Sequence, residues 1–137
     1  MYDIQYDKWT CLRSLPVTIC SSSVITIKDK YLFSFGGIIK QEGELNVISY
    51  IYRLDLKADK AWEEMAVNMP KPLCDIGLAN MSDSEILIFG GWNMNSVDRV
   101  CKLTNFDDCS KITVEECDES SLPKADFFIV SGTDLGS

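Results

Sequence analysis

The chain has 137 residues, 46% of them hydrophobic, and a formal net charge of −8, which suits one domain of ordinary globular composition. The acidity is uneven: residues 1–60 carry eight Lys or Arg against seven acids, and residues 61–137 carry five against fourteen. Such a chain lacks the phosphate-neutralising surface that nucleic-acid binding rests on and is repelled by anionic lipid, so neither is expected as a partner and basic protein surfaces are favoured.

Short apolar runs, too short for helices and closed by turn residues, predict strands throughout. Tyr2-Asp3 ends a strand, residues 5–8 turn, and residues 9–12 form an outer strand. Leu15-Pro16 opens a crossing, where proline suits a connection because it cannot donate to a sheet ladder. A strand over 22–27, a turn over 28–30 and a strand over 31–35 come next, with Val24 and Phe33 expected in the core. Gly36-Gly37 closes this run, and residues 38–46 are expected as a polar loop long enough to bind something, with Lys40, Gln41 and Glu42 as candidates. Residues 47–54 read as a third strand, 55–60 as a turn and 61–65 as an outer strand. After a crossing over 70–75 the series recurs: strands over 76–81 and 85–89, Gly90-Gly91, a loop over 92–96, and strands over 97–104 and 111–116. Trp92, Asn93 and Asn95 are the binding candidates of that loop, since aromatics and asparagines suit recognition loops. After Leu122-Pro123, residues 125–130 read as the first strand of a further unit.

The recurrence is a repeat. Pro16, Cys20, Val24, Phe35, Gly36 and Gly37 fall on Pro70, Cys74, Leu78, Phe89, Gly90 and Gly91 at a constant offset of 54, Trp9 precedes Trp62 by 53, and Trp62-Glu-Glu-Met matches Val114-Glu-Glu-Cys at an offset of 52. A fixed period of this length marks a repeat architecture.

An apolar strand ending in Gly-Gly, then Leu54-Asp55 and Trp62, with Tyr2-Asp3 and Trp9 in the preceding fragment, resembles the kelch repeat. The third fragment departs from it, with Leu103-Thr104 in place of Tyr-Asp and Val114 in place of Trp. The resemblance implies an all-β fold, a partial β-propeller of four-stranded antiparallel kelch-type blades: 1–15 the end of a blade, 16–69 and 70–122 complete blades, 123–137 the start of another. It implies structural roles for Gly36, Gly37, Gly90 and Gly91, and for Trp9 and Trp62, which would pack between blades. Two complete blades do not close a ring, which takes about four to eight, so the remaining blades are expected in cis, or from a second copy in trans. The function implied is a non-catalytic module that binds protein partners through loops on one face.

Catalysis is the competing class, as a fragment of a propeller enzyme resembling galactose-oxidase-like or sugar-processing proteins. With no histidine in the chain, imidazole copper ligation and His-dependent acid–base or triad chemistry are excluded. Glu63-Glu64 and Glu115-Glu116 do not form a catalytic pair, because adjacent strand residues point to opposite faces. The six cysteines are spaced 9, 54, 27, 8 and 8 apart; without a Cys-x-x-Cys pair they read as small buried hydrophobes rather than disulfides or zinc ligands at Cys101, Cys109 and Cys117. No cofactor is expected. No run reaches membrane-span length and the opening residues form no signal peptide, so the expected address is cytoplasmic, and the glycosylation sequon at Asn80 is discounted.

Overall fold

The structure, a computed structural model, describes residues 1–58, 60–96, 100–106 and 112–117. Its strands are β1 (Tyr2–Asp3), β2 (Lys8–Trp9), β3 (Ile19–Cys20), β4 (Ser23–Ile27), β5 (Tyr31–Phe35), β6 (Ile38–Gln41), β7 (Glu44–Val47), β8 (Ile51–Asp55), β9 (Glu63–Glu64), β10 (Gly77–Ser82), β11 (Glu85–Phe89), β12 (Trp92–Asn93), β13 (Asn95–Ser96), β14 (Val100–Thr104) and β15 (Thr113–Cys117). All pairings are antiparallel. Among the described residues there is no helix, hence none long and apolar enough to cross a membrane, and no sheet closes on itself.

Two four-stranded meanders dominate, β4-β5-β8-β9 and β10-β11-β14-β15. The strands β5 and β11 stand 54 residues apart at both ends, and the backbone repeats with them: Ser21 and Asp75 have φ of 54° and 51°, Gly36 and Gly90 of 56° and 65°, Gly37 and Gly91 of 106° and 101°. The turn before the fourth strand repeats too. The Asp55 carboxylate accepts from the Lys57 and Ala58 amides at 2.9 and 3.2 Å, as Asp3 accepts from Gln5 and Tyr6 at 3.0 and 3.2 Å. The two-stranded sheet β1-β2 therefore holds the same place as β8-β9.

Because side chains alternate along a strand, each sheet has two faces. One face of the first sheet presents Ile25, Ile27, Phe33, Phe35 and Ile51; the facing side of the second presents Leu78, Ile86, Ile88 and Leu103, and together they form the core with Met65, Met69, Leu73 and Phe106. Phe33 meets Phe106 edge to face at 5.1 Å, a favoured aromatic geometry. Two polar clasps join the sheets, from Ser23 Oγ to the Ile76 carbonyl at 2.6 Å and from Asn80 Nδ2 to the Thr26 carbonyl at 2.9 Å.

Five expectations need correction. Residues 38–46 are not a loop: β6 and β7 pair through Gln41↔Glu44, and Glu42 and Gly43, both at positive φ (53° and 90°), make the tight two-residue turn that matches strand twist. The third strand starts at Ile51 rather than at Val47, which belongs to that hairpin, and the outer strand shrinks to Glu63–Glu64. Val24 is 58% exposed; the core phase of β4 is Ile25 and Ile27, while Val24 shares the opposite face with Leu32, Ser34, Tyr52 and Leu54. Cys20 is exposed although Cys74 is buried. Phe33, by contrast, is fully buried as expected. The segment 123–137, with its expected strand over 125–130, lies outside the described residues.

Candidate functional site

The glycine pairs turn the chain out of each sheet and decide what stands at that end. Gly36 donates to the Tyr50 carbonyl at 3.0 Å and Gly37 to the Leu73 carbonyl at 2.9 Å. A Cβ at Gly36 would collide with that Leu73 oxygen and stand 2.6 Å from Met69 Cε, in a backbone conformation (φ 56°) that L side chains rarely take. Positive φ and close approach therefore coincide at this position.

Each pair leads into a hairpin that is tied to the crossing before its own sheet. In the first repeat β3 pairs with β6 through Ile19↔Ile39 and Cys20↔Ile38. In the second, Cys74 and Trp92 exchange both backbone bonds, at 3.0 and 2.8 Å. The cysteine thiols act alike, Cys20 donating to the Ile38 carbonyl at 3.6 Å and Cys74 to the Trp92 carbonyl at 3.3 Å. The Asp75 amide reaches the Ser21 carbonyl at 3.1 Å, so the two crossings touch. Lys40, Gln41, Glu42, Trp92 and Asn93 thus come to one end of the molecule, opposite the turns at Lys28-Asp29 and Asp83-Ser84. The backbone of Asn95 lies there too, paired with Asn93.

This end is apolar in patches. Leu45 is 73% exposed, Met94 81% and Trp92 42%, while Lys40, which pairs with Leu45, and Gln41, Glu42 and Glu44 of the same hairpin are exposed polar groups. Lys40 and Gln41 also line a cleft of about 540 Å³ with Val17, Tyr50, Tyr52 and Glu64. Within it the Tyr52 hydroxyl donates to Glu64 at 3.3 Å. Burial pushes the Tyr52 phenol above its ordinary value, and the Glu64 charge adds to the rise, so Tyr52 is a neutral donor at physiological pH. Glu63 turns the other way to meet Arg53 at 2.6 Å; the adjacent carboxylates face opposite sides of the sheet.

The tryptophans at the repeat position differ. Trp62 is half-buried and its indole donates to the Arg13 carbonyl at 2.7 Å, pinning the crossing against the outer edge of the first sheet. Trp9 is 76% exposed, its ring 5.0 Å from that of Tyr2, and among the described residues it is not packed between blades as expected. Met94, Leu45, Tyr50 and Tyr52 are the members of this end not singled out from the sequence. For Met94 the signal was present: a large apolar residue between two asparagines has no core to enter. The role of Tyr50 and Tyr52 depends on which strand face the crossing leaves open.

Among the described residues no group of three or more Cys, Asp or Glu side chains is placed to hold a metal ion. Burial, with the neighbouring Asp75 adding, pushes the Cys74 thiol above its ordinary value, which leaves it a poor nucleophile. No family model matches the chain, and no curated protein matches it.

Proposed function

We propose that the chain is a cytoplasmic segment of a kelch-type β-propeller and acts as a non-catalytic protein-interaction module, docking partners on the end that carries the two hairpins. One observation carries the reading: two successive repeats deliver their post-glycine hairpins to the same end, where Leu45, Trp92 and Met94 stay exposed beside charged and amide side chains. Large exposed apolar groups on a rigid sheet, ringed by polar ones, have the composition of interface hot spots. The four-stranded meanders, the recurring glycine conformations and the repeated Asp turn support the kelch reading. The partner is a protein, with basic surfaces favoured by the acidic balance, and further blades complete the propeller in cis or from a second copy in trans.

Affinity capture with wild type and a Trp92→Ala/Met94→Ala variant side by side tests this. Both side chains lie outside the core, so the melting temperature should hold while captured partners are lost. Identical partner sets for the two proteins would overturn the proposal.

A further inference from the structure

The small sheet β3-β6-β7 ends on a strand whose outer side pairs with nothing among the described residues. Its hydrogen-bond phase follows from one contact, the Ile48 amide donating to the Gly37 carbonyl at 2.9 Å. Bonded and non-bonded pairs alternate along an antiparallel ladder, so Ile39↔Asn46 and Gln41↔Glu44 are bonded pairs, as the two-residue turn at Glu42-Gly43 also requires. Lys40↔Leu45 and Ile38↔Val47 are the non-bonded pairs between them. The backbone N–H and C=O groups of Leu45 and Val47 therefore point away from β6.

This edge is exposed and regular. Glu44, Leu45 and Asn46 are exposed and Val47 is half-buried. Bulges and prolines are ordinary means of keeping an edge strand from pairing, and β7 has neither: its register runs unbroken from Ile38↔Val47 to Gln41↔Glu44. Because side chains alternate, Leu45 and Val47 share one face of the strand, and Glu44 and Asn46 share the other.

We propose that a protein partner docks by adding an extended segment to the outer edge of β7, bonded to the backbone of Leu45 and Val47, with apolar residues beside those two side chains and lysine or arginine beside Glu44. Strand addition takes its affinity from main-chain bonds and its specificity from alternate side chains, and opposite charges on neighbouring strands stabilise the pairing. Charge selects the occupant. Residues 125–130 of the chain, Ala-Asp-Phe-Phe-Ile-Val, carry an acid and no cation, and so does β7 of a second copy, Glu-Leu-Asn-Val. Neither offers Glu44 an opposite charge. The inference rests on partner docking at the hairpin end and adds to it the mode of docking and the sequence pattern of the docked segment.

Selection from a random peptide library on the full chain tests it. Wild type should select peptides in which lysine or arginine alternates with apolar residues. Along a selected peptide, N-methylation should abolish binding at every second residue, where the N–H faces β7, and be tolerated at the residues between. Leu45→Pro removes an outward N–H and no bond to β6, so it should weaken binding about tenfold more than Leu45→Ala, which keeps that N–H. Circular dichroism verifies folding, and the N-methyl series, run on wild type, decides alone if Leu45→Pro unfolds. Peptides that bind through Trp92 and Met94 with no alternation in the N-methyl series would overturn strand addition and leave docking at this end standing. Peptides whose binding ignores Leu45, Trp92 and Met94 alike would count against both. An empty selection, or peptides that lack cations or resemble residues 125–130, would overturn the proposal as well.

Discussion

Gly36→Ala isolates the close approach that sets the hairpin end, provided it is read against Gly43→Ala. Both glycines sit at positive φ, 56° and 90°, where a Cβ costs roughly 1–2 kcal/mol. At Gly43 nothing lies within 4 Å of the added methyl, so that conformational cost is the whole effect. At Gly36 the methyl would overlap the Leu73 carbonyl and press on Met69 Cε at 2.6 Å. The carbonyl must move, and it is the acceptor for the Gly37 amide at 2.9 Å. Disrupting that buried bond adds about 1–3 kcal/mol, so Gly36→Ala should lose about 2–5 kcal/mol and Gly43→Ala about 1–2. Urea midpoints at unchanged m-value measure both. If the two variants lose the same stability, the close approach of residue 36 to the Leu73 carbonyl is not part of the fold and the reasoning fails.

Three further outcomes rest on single side chains. Ser34 is 1% exposed and its hydroxyl has no hydrogen-bond partner among the described residues, so Ser34→Ala should raise stability by up to about 1 kcal/mol by removing a buried unpaired group; a clear drop in the urea midpoint would contradict this. The Lys57 amide bond first, then Ala58 and the charges of Lys30 and Lys60, hold the Asp55 carboxyl below its ordinary value. A lowered folded pKa gives stability that is present above the unfolded value of about 4 and is lost as pH falls through the folded one. The melting-temperature gap between wild type and Asp55→Ala should therefore shrink on acidification below that value, and a gap independent of pH would contradict the assignment. Cys11 and Cys20 are exposed and Cys74 is buried with a raised pKa, so mass-resolved alkylation of the native chain should modify the first two and reach Cys74 only under denaturant.

The strands flanking the glycine pairs were the most legible part of the sequence. Tyr-Leu-Phe-Ser-Phe and Glu-Ile-Leu-Ile-Phe are short apolar runs with an abrupt stop, and both formed strands with the expected limits. The hairpin over 38–47 was missed for the opposite reason. It forms a small sheet with β3 in which Lys40, Gln41, Glu42 and Glu44 are exposed, so no buried face imposes an apolar alternation, and its register comes from the Glu42-Gly43 turn. Val24 was misplaced because Val24, Ile25 and Ile27 are all apolar, and strand sequence alone leaves the phase open where consecutive residues qualify; packing of the second sheet against Ile25 and Ile27 decides it. The hairpin end was legible in outline, since the Gly-Gly period fixes where the chain leaves each sheet. Its cleft was not, because Val17, Tyr50, Tyr52 and Glu64 come together only through the pairing of β3 with β6 and of β8 with β9.

The most direct measurement uses a photo-crosslinking amino acid placed singly at Leu45 or Met94 on the hairpin end, and at Asp29 or Asp83 in the turns at the opposite end. Irradiation in cells should give covalent adducts with partner proteins from positions 45 and 94 and none from 29 and 83. Adducts confined to positions 29 and 83 would contradict the account.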